Sequence, residues 1–548
     1  MRHLYLIGNM GSGKSTVGAH LAQLLGMPFV DLDTWIEQST GTTIAALFER
    51  EGEPAFRERE RVALQQVAQL PPHVVATGGG VVLNPANWAV MRRTGWIVYL
   101  RAEPETLWQR IQAPTDRPLL HTENPRDTLR AIAAAREPLY QQADWIVPTD
   151  NRTPDEVAEA VKRVYAPTPE QPLTVEVLPA QPHSYPVLIA PNLHTYAAER
   201  IAERVRPTCV ALLTHTRLLC WAAPLRDALQ TLGIPTQLIT VPSGERVKSL
   251  RTAQRLYTHL LDAGIDRTGA LVVVGGGVLG DLGGYVAATY MRGIPYVQIP
   301  TTLLAQVDSS VGGKVAVDLP RGKNLVGAFH QPALVLIDPT LLSTLPARHW
   351  HNGFAEMLKY GAALHEGLWN RLQVMLEQGA LRRRVERNNP HAWTLPIAQC
   401  VRLKAHVVAE DERDLSGRRA LLNFGHTVGH AIETALSYRH WLHGEAIAVG
   451  MIVEAELGQI LGITPAPVVN ALREAIARAG LPTRLPQEVS IETLLEAMRY
   501  DKKRAGDTPR VVLLEALGTA RLVSNIPLNA LREALKRCVP SEPSVGCS

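Results

Sequence analysis

"HLYLIGNMGSGKSTVGAHLAQLLG", residues 3 to 26, decides how the first part of this chain folds. An apolar run, "LYLI", ends at a loop from Gly8 to Thr16, and "TVGAHLAQLLG" then repeats apolar residues at helical spacing. A strand, a glycine loop and a helix in that order make G-x-x-x-x-G-K-[ST] a phosphate cradle rather than a plain turn. The glycines let backbone N–H groups point into the loop, and the helix N-terminus adds its positive end. Gly11, Ser12, Gly13 and Thr16 would line this cradle for ATP. Lys14 would reach the β/γ-phosphates, and Ser15 would ligate Mg²⁺.

Outward from this loop the rhythm continues. "VVATGG" and "GWIVYL" are each followed by a helix-like stretch, which predicts an α/β unit with a parallel sheet. "APTPEQP", residues 166 to 172, carries three prolines and no large apolar residue, so it reads as a joint. Beyond it "LTVEV" and "YPVLIA" suggest a short β pair, and "CVALLTH" and "GALVVVGGG" resume the strand–helix alternation. From about residue 340 the pattern turns almost wholly helical. The expected division is a P-loop unit over 1–165, a linker over 166–172, an α/β part over 173–340, an all-α part over 341–535 and a tail over 536–548.

Bulk properties exclude several classes. The chain has 548 residues, 46% of them hydrophobic and 20% charged, which is the balance of a globular protein with more than one core. A net charge of +4 gives no reason to expect nucleic acid or an anionic membrane as partner. No apolar run approaches the ~20 residues that span a bilayer. The glycine loop at Gly8 leaves no room for a signal peptide. The five cysteines are odd in number and contain no C-x-x-C, which suits a reducing cytoplasm.

"FVDLDTWIE", "FRERE", "VVATGGGVVL", "DRPLL" and "REPLY" follow the P-loop in the order and spacing of shikimate kinase, which residues 1 to 165 resemble. The resemblance implies that Arg57 and Arg136 grip the shikimate carboxylate, as planar guanidinium forks do well. Asp33 would orient or deprotonate the attacking hydroxyl, and Gly79 and Gly80 would let backbone approach the ring. Arg117 resembles the lid arginine that closes over the phosphates, and Asp31 would help hold Mg²⁺ through water. A gluconate kinase is the alternative, and the Asp33–Arg57–Arg136 set argues against an open-chain substrate.

"ALVVVGGGVLGDLGGYVAATYMRG", residues 270 to 293, puts glycines between a hydrophobic strand and a helix, as a nucleotide pyrophosphate site requires. With "PSGERVKSL" upstream and "IPTTLLAQVDSSVGGKVAVDLPRGKNLVGAFHQP" downstream, residues 172 to 525 resemble 3-dehydroquinate synthase. The resemblance assigns Glu245, Lys248, Gly277, Asp281, Thr301, Thr302, Lys314, Lys323 and Thr344 to NAD. One departure shows: "LLTHTRLL" stands where the family often has an aspartate and asparagine.

"LLNFGHTVGHAIETALSYRHWLHGE", residues 421 to 445, holds four histidines, and His426 and His430 share a helical face. A carboxylate with two histidines is a zinc set that leaves positions open for substrate oxygens. The resemblance makes Glu356, His426 and His443 the ligands of Zn²⁺ (or Co²⁺), with His430 handling protons nearby and His440 without a role. It places Asp308 at the metal–substrate centre. Arg292, Lys314, Asn324, Lys359, Lys404, Arg419, Asn423 and Lys502 or Lys503 form a ring of binding and catalytic groups.

The implied substrate is 3-deoxy-arabino-heptulosonate 7-phosphate, which loses phosphate after oxidation at C5, regains its hydride and closes by an aldol step. NAD would be regenerated each turn. A polyol dehydrogenase of similar architecture is the enzymatic rival, but a neutral polyol has no use for so many cations. A scaffold built from degenerate enzymes would have lost Lys14, Asp33, His426 or Lys314, and all are present. The expected partners are small substrates and a second copy of the synthase unit, with no nucleic acid and no membrane.

Overall fold

The computed structural model describes residues 2–111, 118–120, 122–178, 184–320, 322–412, 417, 419–502 and 510–540, with the side chains of 499–502 left aside. Arg117, Lys503 and the side chain of Lys502 therefore lie outside the described residues. The chain divides into two compact units, Met1–Pro167 and Thr168–Ser548.

In the first unit β1 (His3–Ile7), β2 (Phe29–Asp31), β3 (Val74–Ala76), β4 (Gly95–Arg101) and β5 (Trp145–Pro148) form one sheet in the order β2-β3-β1-β4-β5. Every pair is parallel. A strand with parallel neighbours on both sides and helices on both faces must be apolar throughout, and all five residues of β1 are buried. The helix Lys14–Leu25 follows β1 directly, so its N-terminus opens at the carboxyl end of the central strand. The helical stretch Ile44–Val67 is broken at Gly52, whose φ of 77° takes the chain out of helical geometry.

The second unit carries β6 (Leu173–Val177), β7 (Tyr185–Ile189), β8 (Val210–His215), β9 (Thr236–Val241), β10 (Ala270–Gly275), β11 (Tyr296–Pro300), β12 (Lys314–Leu319), β13 (Gly322–Phe329) and β14 (Leu334–Ile337). Seven of them form a sheet ordered β6-β7-β14-β11-β10-β8-β9, in which only β6 runs antiparallel to its neighbour. β12 and β13 pair as a separate hairpin. Between β8 and β10 the strand order reverses, since β9 lies on one side of β8 and β10, β11 and β14 on the other. Ligands bind at the carboxyl ends of strands flanking such a switch point.

From Ala347 the chain is helical, with helices Ala347–Leu364, Glu366–Glu377, Pro390–Glu410, His426–Ala435, His443–Ile460, Ala466–Arg478, Ile491–Lys502 and Leu528–Arg537. This half is not purely helical: β15 (Val511–Ala516) and β16 (Thr519–Val523) form a hairpin within it. "VVLLEA" opens with only four apolar residues before Glu515, too short a run for periodicity to distinguish strand from helix. The helix His443–Ile460 is buried nearly all round and meets its neighbours backbone to backbone. A Cβ on Gly450 would lie 2.0 Å from the Gly425 carbonyl, and one on Gly444 would lie 2.1 Å from that of Asn352.

Candidate functional sites in the two units

In the first unit the loop after β1 turns through Gly11 and Gly13, both in the left-handed region at φ 81° and 90°. Lys14 Nζ donates to the carbonyls of Gly8 at 2.9 Å and Asn9 at 3.0 Å. Ser15 Oγ donates to Asp31 Oδ2 at 2.5 Å, so the hydroxyl and carboxylate expected to serve Mg²⁺ stand together. Asp31 Oδ1 accepts from the amide of Asp33 at 3.0 Å, which fixes the start of the helix carrying Asp33.

Beside the cradle, Arg57 Nη1 donates to Glu60 Oε2 at 3.0 Å and its Nη2 to Glu53 Oε1 at 2.8 Å. Arg136, 6% exposed, donates to the Gly79 carbonyl at 3.0 Å, and Tyr140 OH donates to the same oxygen at 2.6 Å. Close approach explains the glycines here: a Cβ on Gly80 would fall 2.2 Å from Arg57 Cζ, and one on Gly78 would fall 2.4 Å from Glu60 Oε1. Glu60 was not singled out by its sequence, although its place three residues after Arg57 puts both on one helical face. It is fully buried, and its Oε1 has no hydrogen-bond partner. Burial pushes its carboxyl up to about 7, against the pull of Arg57.

In the second unit a cleft of about 1140 Å³ opens at the carboxyl ends of the parallel strands. It is lined by His215 at the end of β8, Gly244 and Glu245 after β9, Gly276 and Gly277 after β10, and Thr302 after β11. The glycine turn leads into the helix Gly277–Thr289, where a Cβ on Gly276 would meet Thr302 at 2.9 Å. Lys248 Nζ pairs with Asp281 Oδ2 at 2.5 Å and also with Asn324. Lys323 pairs with Glu245 at 3.0 Å. Two buried polar atoms in the lining, His215 Nδ1 and Ser309 Oγ, have no hydrogen-bond partner. A turn cut down to backbone at a helix N-terminus, with such atoms beside it, fits a dinucleotide.

On the other wall stand the histidines. Glu356 Oε1 lies 3.5 Å from His426 Nε2 and 3.3 Å from His443 Nε2, and Lys359 pairs with its other oxygen. The three candidate ligand atoms lie within 4.8 Å of one another. Both Glu356 oxygens are buried without a hydrogen-bond partner of proper geometry, and a carboxylate in that state fits a cation. Burial lowers His426 to about 3, which leaves its ring neutral and able to ligate. Burial also opposes charge on His443, but Glu356 and Glu433 outweigh it and hold the ring at about 10 while no metal is bound. Both histidines are the first residues of their helices, so two positive helix ends converge on Glu356.

Glu433 is a second residue that sequence reading missed. Its Oε2 lies 3.3 Å from His443 Nδ1, so it can fix the ring's orientation from behind, as carboxylates do in metal sites. The signal was spacing, since Glu433 continues the face of His426 and His430. His430 is exposed on the cleft wall, with its ring centroid 5.3 Å from that of His426. Asp308 accepts from Lys404 Nζ at 2.8 Å and from Tyr360 OH at 2.5 Å. Burial opposes its charge, but Lys404 and Lys359 hold it down at about 2. His440 is exposed, as its lack of a role suggested.

Some expected residues do not meet the cleft. Thr301, Lys314, Thr344, Lys404, Arg419 and Asn423 are absent from its lining, as are Glu356, Lys359 and His426 behind His443, and Arg419 donates to the Gly312 carbonyl at 3.2 Å. Arg292 takes its position from a helix. It follows the C-terminus of the helix whose N-terminus forms the glycine turn, and thirteen residues of helix span about 20 Å. It is exposed at that far end and outside the lining of its own cleft.

Three family models match the chain: shikimate kinase over residues 10–166, 3-dehydroquinate synthase N-terminal over 238–352, and 3-dehydroquinate synthase C-terminal over 353–504. A 3-dehydroquinate synthase from a Synechococcus species is 45% identical over 309 residues, which cover 56% of this chain and 83% of that one. Among solved structures, a 2-epi-5-epi-valiolone synthase from Streptomyces hygroscopicus subsp. jinggangensis with NAD⁺ and Zn²⁺ bound is similar at TM-score 0.60 and 25% identity, covering 66% of this chain and 98% of that one. A 2-deoxy-scyllo-inosose synthase complexed with carbaglucose-6-phosphate, NAD⁺ and Co²⁺ is similar at TM-score 0.57 and 25% identity, covering 67% and 100%.

Proposed function

Because the chain belongs to the 3-dehydroquinate synthase family and carries a shikimate kinase unit ahead of that match, we propose a division of labour among its residues. The protein is a bifunctional shikimate-pathway enzyme. It phosphorylates shikimate with ATP and Mg²⁺, and it converts 3-deoxy-D-arabino-heptulosonate 7-phosphate to 3-dehydroquinate and phosphate with NAD and a divalent metal.

In the kinase unit Lys14 meets the transferring phosphoryl group, and Ser15 with Asp31 holds Mg²⁺. Asp33 orients the attacking hydroxyl. Arg57 and Arg136 bind the carboxylate, with Gly79 and Gly80 against the ring.

In the synthase unit Glu356, His426 and His443 hold the metal, and the glycine turn at Gly277 takes the pyrophosphate of NAD. When bound, the metal would supply Lewis-acid polarisation of substrate hydroxyls, and NAD would supply a reversible hydride acceptor. Lys359 and Lys404 keep Glu356 and Asp308 ionised, and His430, open to the cleft, can carry a proton. The observation that carries this assignment is the meeting of Glu356, His426 and His443 across from the glycine turn. The enzyme should need NAD⁺ yet accumulate no NADH over many turnovers. NADH formed in step with product would overturn the lyase assignment in favour of a polyol dehydrogenase.

The synthase unit works as a homodimer in the cytoplasm. A second copy is a way for Arg292, remote from its own cleft, to meet substrate. Sedimentation of the full chain, with mixing of Arg292→Ala and His443→Ala subunits, tests this: a monomer, or no recovery of activity on mixing, rejects it. Fractionation of cells tests the location. Among the described residues no helix is long and apolar enough to cross a membrane.

A further inference from the structure

Glu454 sits about three turns into the helix that begins at His443, and it is 0% exposed. Among the described residues it makes no ion pair. A buried carboxylate without a counter-ion is costly unless hydrogen bonds satisfy it. Its Oε2 accepts from the Gly425 amide at 2.7 Å, its Oε1 has no hydrogen-bond partner, and the amides of Thr427 and Val428 lie near enough to act on its charge. Burial pushes the carboxyl up to about 8, and these amides pull the other way.

Those amides open the helix that carries His426. A helix leaves its first N–H groups without internal partners, and a side chain at the N-cap normally takes them. Here the N-cap is Gly425, at φ 81°, with no side chain to offer. Its conformation and its closeness to the next helix forbid one: a Cβ there would lie 2.5 Å from Met451 Cγ. The missing cap arrives instead from Glu454, on the helix that begins with the other histidine ligand.

We propose that Glu454 is a positioning residue: it pins the first turn of the His426 helix to the His443 helix and so holds both rings in register for the metal. This rests on the ligand assignment made above. Capping alone would affect stability, whereas holding register must affect the metal.

The test uses the full chain stripped of metal with a chelator, with zinc affinity then measured by competition against a chromophoric chelator. Glu454→Leu, which removes the acceptor, should weaken zinc binding about tenfold or more, the range expected for groups supporting a ligand. Glu454→Gln keeps the one acceptor oxygen that the Gly425 amide uses and should stay nearer native than Leu. Val453→Ala, in the same buried helix, should lower the unfolding temperature while leaving zinc affinity within about twofold. Native affinity in a folded Leu variant overturns the proposal. If the Leu variant does not fold, Glu454→Ala, which also removes the acceptor, decides, and unchanged affinity there rejects it too. His443→Ala separates the two readings: should it bind zinc like the native chain, the ligand assignment itself has failed.

Discussion

Glu60 in the kinase unit and Glu356 in the synthase unit are both fully buried carboxylates, and each has a cation three residues later or earlier on its own helix. They nevertheless hold protons in opposite ways. Burial wins at Glu60, which rises to about 7, because its one direct partner, Arg57, is shared with Glu53. At Glu356 burial loses: Lys359 and the protonated His443 both face the group and drive its carboxyl well below the usual range. The number of cations converging on a buried acid, rather than its depth, decides whether it is held as an anion. The synthase site keeps a permanent negative charge to offer a metal. The kinase site keeps a carboxyl poised near neutrality beside an arginine that must be free to take a substrate's charge.

The largest effects should fall on one unit at a time. His443→Ala is expected to lower synthase turnover and metal content together, with turnover down by more than about a thousandfold. Lys14→Ala is expected to do the same to shikimate-dependent ATP use. Each variant should leave the other activity within about twofold of native. Full metal occupancy in the His443 variant would break the contrast at its stronger end.

A smaller effect is expected from Glu60→Gln, read in the pH dependence of kinase-unit stability. The carboxyl rises from its ordinary 4.5 to about 7, so the folded unit keeps a proton that the unfolded chain releases. Between those values native stability should fall as pH rises, by about 3 kcal/mol at most. Glutamine should flatten that slope. Denaturant unfolding across this window checks it, and an unchanged slope would mean Glu60 is held ionised just as Glu356 is.

Next, Arg136→Ala should raise the KM for shikimate about 10- to 100-fold with a lesser change in turnover, as for loss of a charged hydrogen bond. An unchanged KM would leave the carboxylate to Arg57 alone. The least effect should come from severing the two units: pieces ending at Tyr165 and starting at Leu173 should each keep their own activity within about twofold. Loss of either activity in its separate piece would show that the two sites do not work apart.

The parts legible in sequence were those where one short stretch carries its own geometry. The strand, glycine loop and helix around Lys14 are contiguous, and so are β10 and the turn at Gly277. Of the metal trio, His426 and His443 share one stretch, residues 421 to 445, while Glu356 comes from a distant helix. Glu60 escaped because its state depends on Gly78, brought beside it by β3, and no spacing within "FRERE" records that meeting. Arg292 was placed by motif alone, and it stands exposed at the far end of the helix from the glycine turn. Glu433 lay within reach of periodicity, but a carboxylate on a polar helix face is ordinarily just solvated.

The glycines at 425, 444 and 450 bear on what kind of change this enzyme can accept. Where helices meet through side chains, a lost methyl in one can be answered by a larger neighbour in the other, and the pair drifts to a new spacing. Here Gly450 faces the Gly425 carbonyl and Gly444 that of Asn352, so the contact is made of backbone and has nothing to trade. Even alanine is too large at either point. Adaptation to another metal or a differently shaped sugar phosphate must therefore come from cleft residues such as His215, Glu433 and Asn324, while the spacing between His426 and His443 stays closed to gradual variation.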